Sequence, residues 1–267
     1  MQSSAAIKTD PRFKVTMLSS TTSVLRVMSN GQLDAAMLTL DEAIKFQSET
    51  GLPLCIPLVI DYSDGADALL VNAQTFHLKG PEKVKIGYES TATGGYMLRR
   101  SLDFLAITAN AINAIPLHPN EHLDAFRSGA VDGIITFEPY LSKIHKAGGV
   151  IRFSSSDIPG EIIDVLVVRQ QVWNSRQESV NLLIDDLFRK GVAIITAGEA
   201  EVISAISQNL KSDGNAIANA LKGIHFPTAA ENRAFIKETL PSVVNHISNY
   251  LIEEKIIAKP STLGACQ

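Results

Sequence analysis

The chain has 267 residues, 45% hydrophobic and 19% charged, a length that suits one large domain or two lobes of common size. Its 24 Lys and Arg against 28 Asp and Glu give a net charge of −4, and no Lys/Arg run occurs, which excludes the electrostatic footprint of a nucleic-acid binder. The longest apolar stretch, residues 51–60, contains two prolines and falls well short of the roughly 20 residues that a membrane-spanning helix needs, so no transmembrane segment is expected.

The opening residues, MQSSAAIKTDPRFK, have no basic region followed by an apolar one, so no signal peptide is expected in the sequence as given. Residues 13–18 then read as a strand, 23–30 as a short helix stopped at Gly31, and 35–38 as the next strand. Thr39-Leu-Asp-Glu42 has the spacing of a capping box and opens a helix that runs to Gly51, a suitable C′ residue. Residues 56–60 and 68–72 are two further strands. The alternation then starts again, with a strand at 84–88, a helix at 95–105, a strand at 112–117 and a helix at 121–127 stopped by Gly129. A strand at 133–136 is followed by a helix at 139–146 with Pro139 in its first turn, and by a short strand at 150–153. Residues 163–168 form an almost wholly apolar strand, the pattern of one buried on both faces.

Beyond Trp173 the pattern is helical throughout. Ser175-x-x-Glu178 is a second capping box, opening an amphipathic helix, Thr228-x-x-Glu231 is a third, and Pro241 starts or kinks a last helix over 242–254. Short apolar strands alternating with amphipathic helices predict an α/β fold with parallel sheet. The expected organisation is a discontinuous first lobe, 1–75 and 165–267, and a second lobe, 76–164, with crossovers near 73–83 and 160–165. Such a chain is expected to form a cleft lined by strand carboxyl ends and helix amino ends.

Five strand-to-helix junctions combine small hydroxyl residues with carboxylates and contain no Lys or Arg. They are Ser19-Ser-Thr-Thr22, Thr39-Leu-Asp41, Asp61-Tyr-Ser-Asp64, Ser90-Thr-Ala-Thr-Gly-Gly-Tyr96 and Thr136-Phe-Glu-Pro139. Helix amino ends aim unpaired N–H groups at whatever occupies a cleft, yet Ser, Thr and Asp cap helices in every protein. For any one junction, capping alone is as good an account as ligand contact; five of them in one chain favour a ligand.

His118-Pro-Asn-Glu-His122 matches the H-x-x-E-H zinc string, but that chemistry needs both imidazoles on one continuous helix. Pro119 marks the helix start and leaves His118 on the preceding strand, so no metal site is expected. There is no G-x-S-x-G elbow, P-loop or G-x-G-x-x-G motif, and no strong catalytic constellation. Cys55 lies in an apolar run and Cys266 is penultimate; a disulfide between them is possible, but a buried thiol and a frayed terminus is the preferred reading.

Several segments, in this order, carry a resemblance: Asn30-Gly-Gln-Leu-Asp-Ala-Ala-Met37 with Leu38-Thr-Leu-Asp-Glu-Ala43, Val59-Ile-Asp-Tyr-Ser-Asp-Gly-Ala-Asp-Ala68, and Ala125-Phe-Arg-Ser-Gly-Ala-Val-Asp132. Thr136-Phe-Glu-Pro139, Phe153-Ser-Ser-Ser-Asp-Ile-Pro159 and Asp164-Val-Leu-Val-Val168 continue it. Over residues 13–255 the chain resembles the solute-binding proteins of ABC importers for nitrate, sulfonates, taurine and thiamine-pyrimidine precursors. The resemblance implies the type II periplasmic-binding-protein fold, two α/β lobes closing on a small solute, with an importer permease as partner and a periplasmic or extracytoplasmic location. It implies no cofactor. Ligand contacts would fall on Ser19, Ser20, Thr21, Thr39, Asp61, Ser63, Ser90, Thr91, Thr93, Gly94, Gly95, Tyr96 and Glu138, with Asp164 beside the second crossover.

Residues 13–18 match the family's second strand, so its first strand-helix unit is expected to be missing from this sequence. Asp41, Asp61, Asp64, Glu89 and Glu138, with Asp164 nearby, disfavour a strongly anionic guest and favour a neutral or amine-bearing one, such as an aminopyrimidine-like solute. The rival readings are a ligand-sensing module of the same fold and an enzyme like the pyrimidine synthases of thiamine biosynthesis. Those synthases carry a cysteine-rich motif and an active-site histidine, and two isolated cysteines do not supply that motif, so no enzyme is expected.

Overall fold

The computed structural model describes residues 13–18, 20–76, 83–210 and 214–267. In chain order its elements are α1 (Thr21–Ser29), β1 (Ala35–Thr39), α2 (Leu40–Thr50), β2 (Leu54–Ser63), β3 (Asp67–Val71), β4 (Val84–Tyr88), α3 (Ala92–Phe104), β5 (Ile112–Pro116), α4 (His122–Arg127), β6 (Gly133–Phe137), α5 (Tyr140–Lys146), β7 (Val150–Ser154) and β8 (Ile163–Arg169). The remainder is α6 (Gln170–Leu182), α7 (Arg189–Thr196), α8 (Ala200–Leu210), α9 (Gly214–Lys222), the two-residue β9 (Ile224–His225), α10 (Ala229–Ala234) and α11 (Leu240–Glu253). One sheet has the order β1-β8-β2-β9 and the other β5-β4-β6-β3-β7.

The chain divides into a first unit, residues 1–61, 163–218 and 226–267, and a second, residues 62–162 and 219–225. The first switch therefore falls at Asp61/Tyr62, ahead of the 73–83 expected from the sequence, because β3 pairs with β6 and β7 in the second sheet. Residues 219–225 also join the second unit: Asp64 N–H donates to Gly223 O at 2.8 Å, and β9 pairs with Tyr62 and Ser63. No hydropathy signal marks that excursion, since two paired residues are too few to show a period.

The expectation of parallel sheet holds in part. β5, β4 and β6 are parallel, whereas β3 runs antiparallel to β6 and β7, and β1 antiparallel to β8. β8, on which the chain re-enters the first sheet, lies antiparallel to β1. Residues 13–18 form no strand, and Val15 and Met17 are exposed; an apolar run becomes a strand only when a ladder partner lies beside it.

Two of the three capping boxes fail. Thr39 is the N-cap of α2, but its side chain makes no cap hydrogen bond, because the helix starts directly from the β1 ladder. Ser175 lies inside α6, which opens at Gln170 as soon as β8 ends, and its hydroxyl donates to Gln171 O at 2.8 Å. The signal survives as a kink: Arg176 leaves helical geometry at φ −140°. At the third, Thr228 Oγ1 accepts from Glu231 N–H and Glu231 Oε2 accepts from Thr228 N–H, a reciprocal cap.

A core of the first unit gathers Leu58 and Ile60 of β2, Leu166 and Val168 of β8, and Trp173, Val180 and Ile184 from the helix behind them. The side-chain amide of Asn232 brackets buried Val59, donating to its carbonyl at 2.6 Å and accepting its N–H at 3.0 Å, as a neighbouring strand would. The last residues strap this unit. Ser48 Oγ donates to Lys259 O, Gln47 binds Ser261 and Thr262, Ile56 N–H donates to Gly264 O, and Trp173 Nε1 donates to Gln267 O. Cys55 and Cys266 are disulfide-bonded with Cα atoms 4.7 Å apart, which corrects the expectation of a buried thiol and a frayed end. In the second unit Leu70, Ile134, Phe126, Leu141 and Ile144 form the corresponding core between sheet and helices.

Candidate functional site

In the second unit β4 lies between β5 and β6 and is parallel to both. The chain leaves β4 for β5 and then returns past it to β6, so the carboxyl end of β4 is a topological switch point, where sheets of this kind take ligands. Gly87 of β4 pairs with Ile134 of β6, so the β4–α3 junction and the β6–α5 junction emerge side by side. Ser90, Thr91, Thr93, Gly94, Gly95 and Glu138 thus come to one edge.

Each has a local account. Thr91 caps α3, its Oγ1 accepting from Gly94 N–H at 3.1 Å, and Ser90 before it is exposed. A Cβ on Gly94 would stand 2.0 Å from the carbonyl oxygen of Glu89, so only glycine lets the first helical turn close onto the strand end. Gly95 and Thr93 are half-buried, and a Cβ on Gly95 would meet nothing within 4 Å; packing does not require glycine there. Glu138 accepts from the Ser142 hydroxyl at 2.7 Å and from its N–H at 3.2 Å, capping α5 after a cis Glu138–Pro139 bond. Half-buried Glu89 has its carboxyl pKa raised by burial, partly opposed by the His118 imidazole.

Gly94→Ala is expected to displace the first turn of α3 and cost about 1–3 kcal/mol, the range for overpacking against atoms that cannot yield. Gly95→Ala should leave stability near wild type. Urea unfolding of the two variants checks the contrast, and equal effects would mean that the Gly94–Glu89 approach is not tight.

In the first unit Thr39 stands directly opposite Asp164 across the antiparallel β1–β8 pair. Ser63 N–H donates to Ile162 O at 3.0 Å and Gln170 N–H to Pro53 O at 2.9 Å, so β2 also runs antiparallel to β8. Thr39 and Asp164 therefore share one face, and Asp61 lies at the same end of this sheet. Asp61 is buried, and the other two are half-buried. Ser20 caps α1, its Oγ accepting from Ser23 N–H at 3.2 Å, and Thr21 is the first helical residue. Ser19 lies outside the described residues.

Two expected ligand contacts are engaged inside the protein. The Ser63 hydroxyl donates to Asp67 Oδ2 at 2.6 Å and lies 2.8 Å from Ser155 Oγ, which also accepts from Gly65 N–H. Tyr96 is fully buried and its hydroxyl donates to Glu161 Oε2 at 2.6 Å, a carboxylate that Arg100 grips with two nitrogens. Sequence reasoning missed Glu161 and Arg100, although Arg100 follows Tyr96 by one helical turn and so shares its face. The H-x-x-E-H string is split as the proline predicts: His118 is exposed, while His122 starts α4, is fully buried, and lies with Nδ1 3.0 Å from Thr136 Oγ1.

The NMT1-like family matches residues 6–208, well over half of the chain. The chain belongs to the NMT1-like family. Among solved structures this NMT1-like chain is similar to the periplasmic aliphatic sulphonate binding protein SsuA from Escherichia coli, at 15% identity and a TM-score of 0.70, covering 90% of this chain and 81% of that one. It is similar to the ligand-binding component of an ABC-type import system from Staphylococcus aureus, determined with zinc bound, at 14% identity and a TM-score of 0.76, covering 95% and 85%. It is also similar to a mutant of DszB in complex with biphenyl-2-sulfinic acid, at 12% identity and a TM-score of 0.61, covering 88% and 83%. At such identities the likeness is one of fold, and the fold is that of the periplasmic binding proteins expected from the sequence. No curated protein matches the chain by sequence.

Proposed function

We propose that this chain binds a small polar organic solute as the substrate-binding component of an ABC importer, outside the cytoplasm, with the importer permease as its partner. The observation that carries this reading is the grouping of the expected contact residues within each unit: Ser90–Gly95 beside Glu138 at the end of the second sheet, and Thr39 opposite Asp164 with Asp61 at the same end of the first. Each group offers solute contacts within its own unit. The disulfide supports the location, since such bonds persist in oxidising compartments and are rare in the cytosol.

Asp61 and Asp164 lie at the same sheet end as Thr39, and Glu89 stands beside the α3 amino end. This distribution favours a neutral or amine-bearing guest over an anion, because a carboxylate-lined site repels negative charge and binds an amine through charge-assisted hydrogen bonds. Sulphonate is what the Escherichia coli protein is named for, so the guest of this chain differs from it in charge. A catalytic reading is disfavoured by the cysteines: both are joined in the disulfide, so neither is available as a thiol nucleophile.

Calorimetric titration with 4-aminopyrimidine, ethanesulfonate and nitrate tests the reading. Heat from the amine, with little from either anion, is the expected result. Tight binding of ethanesulfonate or nitrate with no response to the amine overturns the ligand class, and silence from every solute of this size overturns solute binding itself.

A further inference from the structure

The chain leaves the second unit at Ile162/Ile163, and the residues just before that exit are held by more than their own backbone. Glu161 N–H donates to Ile158 O, while the Glu161 carboxylate receives three hydrogen bonds: from the Tyr96 hydroxyl at 2.6 Å, Arg100 Nε at 2.7 Å and Arg100 Nη2 at 2.8 Å. The Arg100 and Glu161 side chains are only 25% and 19% exposed, and Tyr96 is fully buried, so salt and water weaken the arrangement little. Tyr96 and Arg100 lie one turn apart on α3, and the first turn of that helix is pinned to the end of β4 by the close approach of Gly94 to Glu89. One residue beyond the carboxylate, Ile162 O accepts Ser63 N–H, and Ser63 is itself tied to Asp67 and Ser155.

We propose that Tyr96, Arg100 and Glu161 form a clamp that makes the first turn of α3 and residues 158–162 one cooperative unit, so that whatever orders the α3 junction also orders the chain at its exit from the second unit. The residues act by positioning. The consequence for binding rests on the solute-binding reading above, whereas the clamp itself is a property of the ligand-free protein.

Amide hydrogen exchange of the ligand-free wild type, Tyr96→Phe and Glu161→Gln tests it. Tyr96→Phe removes one hydroxyl and leaves the ion pair; Glu161→Gln keeps the shape and removes the charge. Glu161→Gln is expected to speed exchange at both 92–96 and 158–162 by roughly tenfold or more, as for loss of a charge-assisted hydrogen bond. Tyr96→Phe should do the same to a smaller extent, and the β4 and β6 amides at Ile86 and Ile134 should keep their wild-type rates in both. Acceleration at 158–162 alone, or uniform acceleration through both strands, contradicts the clamp. If Glu161→Gln does not fold, the Tyr96→Phe pattern decides by the same criterion. Adding 4-aminopyrimidine separates the two readings: protection of both segments in wild type supports the coupling, and protection of 92–96 alone contradicts it. An absence of binding counts against the solute reading and leaves the ligand-free result to stand for the clamp.

Discussion

Reducing the Cys55–Cys266 disulfide is expected to lower the unfolding free energy of the first unit by about 2–5 kcal/mol, the range for removing a native bridge. The bond spans 211 residues, so it restricts the unfolded chain strongly, and in the folded state it anchors a strap that also binds α2, β2 and Trp173. At about 2–4 °C per kcal/mol for a chain of this size, the melting temperature should drop by roughly 10 °C. Thermal melts with and without dithiothreitol read this directly. The Cys55→Ser/Cys266→Ser variant should melt with the reduced wild type and ignore the reductant; a wild type that melts alike in both conditions contradicts the strap.

The second large effect is one of pH. His122 is fully buried and its pKa is lowered to about 4, chiefly by burial, with the Leu117 backbone and the Glu121 carboxylate opposing. Nε2 has no hydrogen-bond partner among the described residues, so a proton there would put a poorly compensated charge into the core. The unfolded imidazole binds its proton near pH 6.5 and the folded one only near 4, so stability present above the unfolded value is lost as the pH falls through that window. The gap of about 2.5 units corresponds to about 3 kcal/mol. Glu89 works in the other direction, since its raised carboxyl pKa favours the folded state as the pH falls. The difference between wild type and His122→Gln removes that contribution. Urea unfolding at pH 7, 5.5 and 4 should show wild type losing this stability relative to the variant, and parallel pH profiles would contradict the assignment.

Much of the fold was legible because its signals are local. The β4 strand, the apolar run of β8, Gly51 in its left-handed cap and the Thr228–Glu231 box each depend on a few adjacent residues. What could not be read depends on partners distant in the chain. Whether residues 13–18 become a strand is decided by what lies beside them, and the place of β3 in the second sheet by its pairing with β6. The Cys55 partner lies 211 residues away, beyond any spacing rule. In the candidate site the same division holds. The junctions carry their hydroxyl and carboxylate pattern openly, so Thr39 and Thr91 could be named from it, whereas Asp164 lies inside β8 and was named only through the family resemblance. That Ser63 and Tyr96 are engaged by Ser155 and Glu161 is a matter of contacts across 65–92 residues, which no local pattern encodes.

Where a solute is held is the most direct test of solute binding by this chain. A crystal structure grown with 4-aminopyrimidine should place its amine within hydrogen-bond distance of the Asp164 or Asp61 carboxylate. A solute bound elsewhere, with Thr39, Asp61 and Asp164 all untouched, would contradict it.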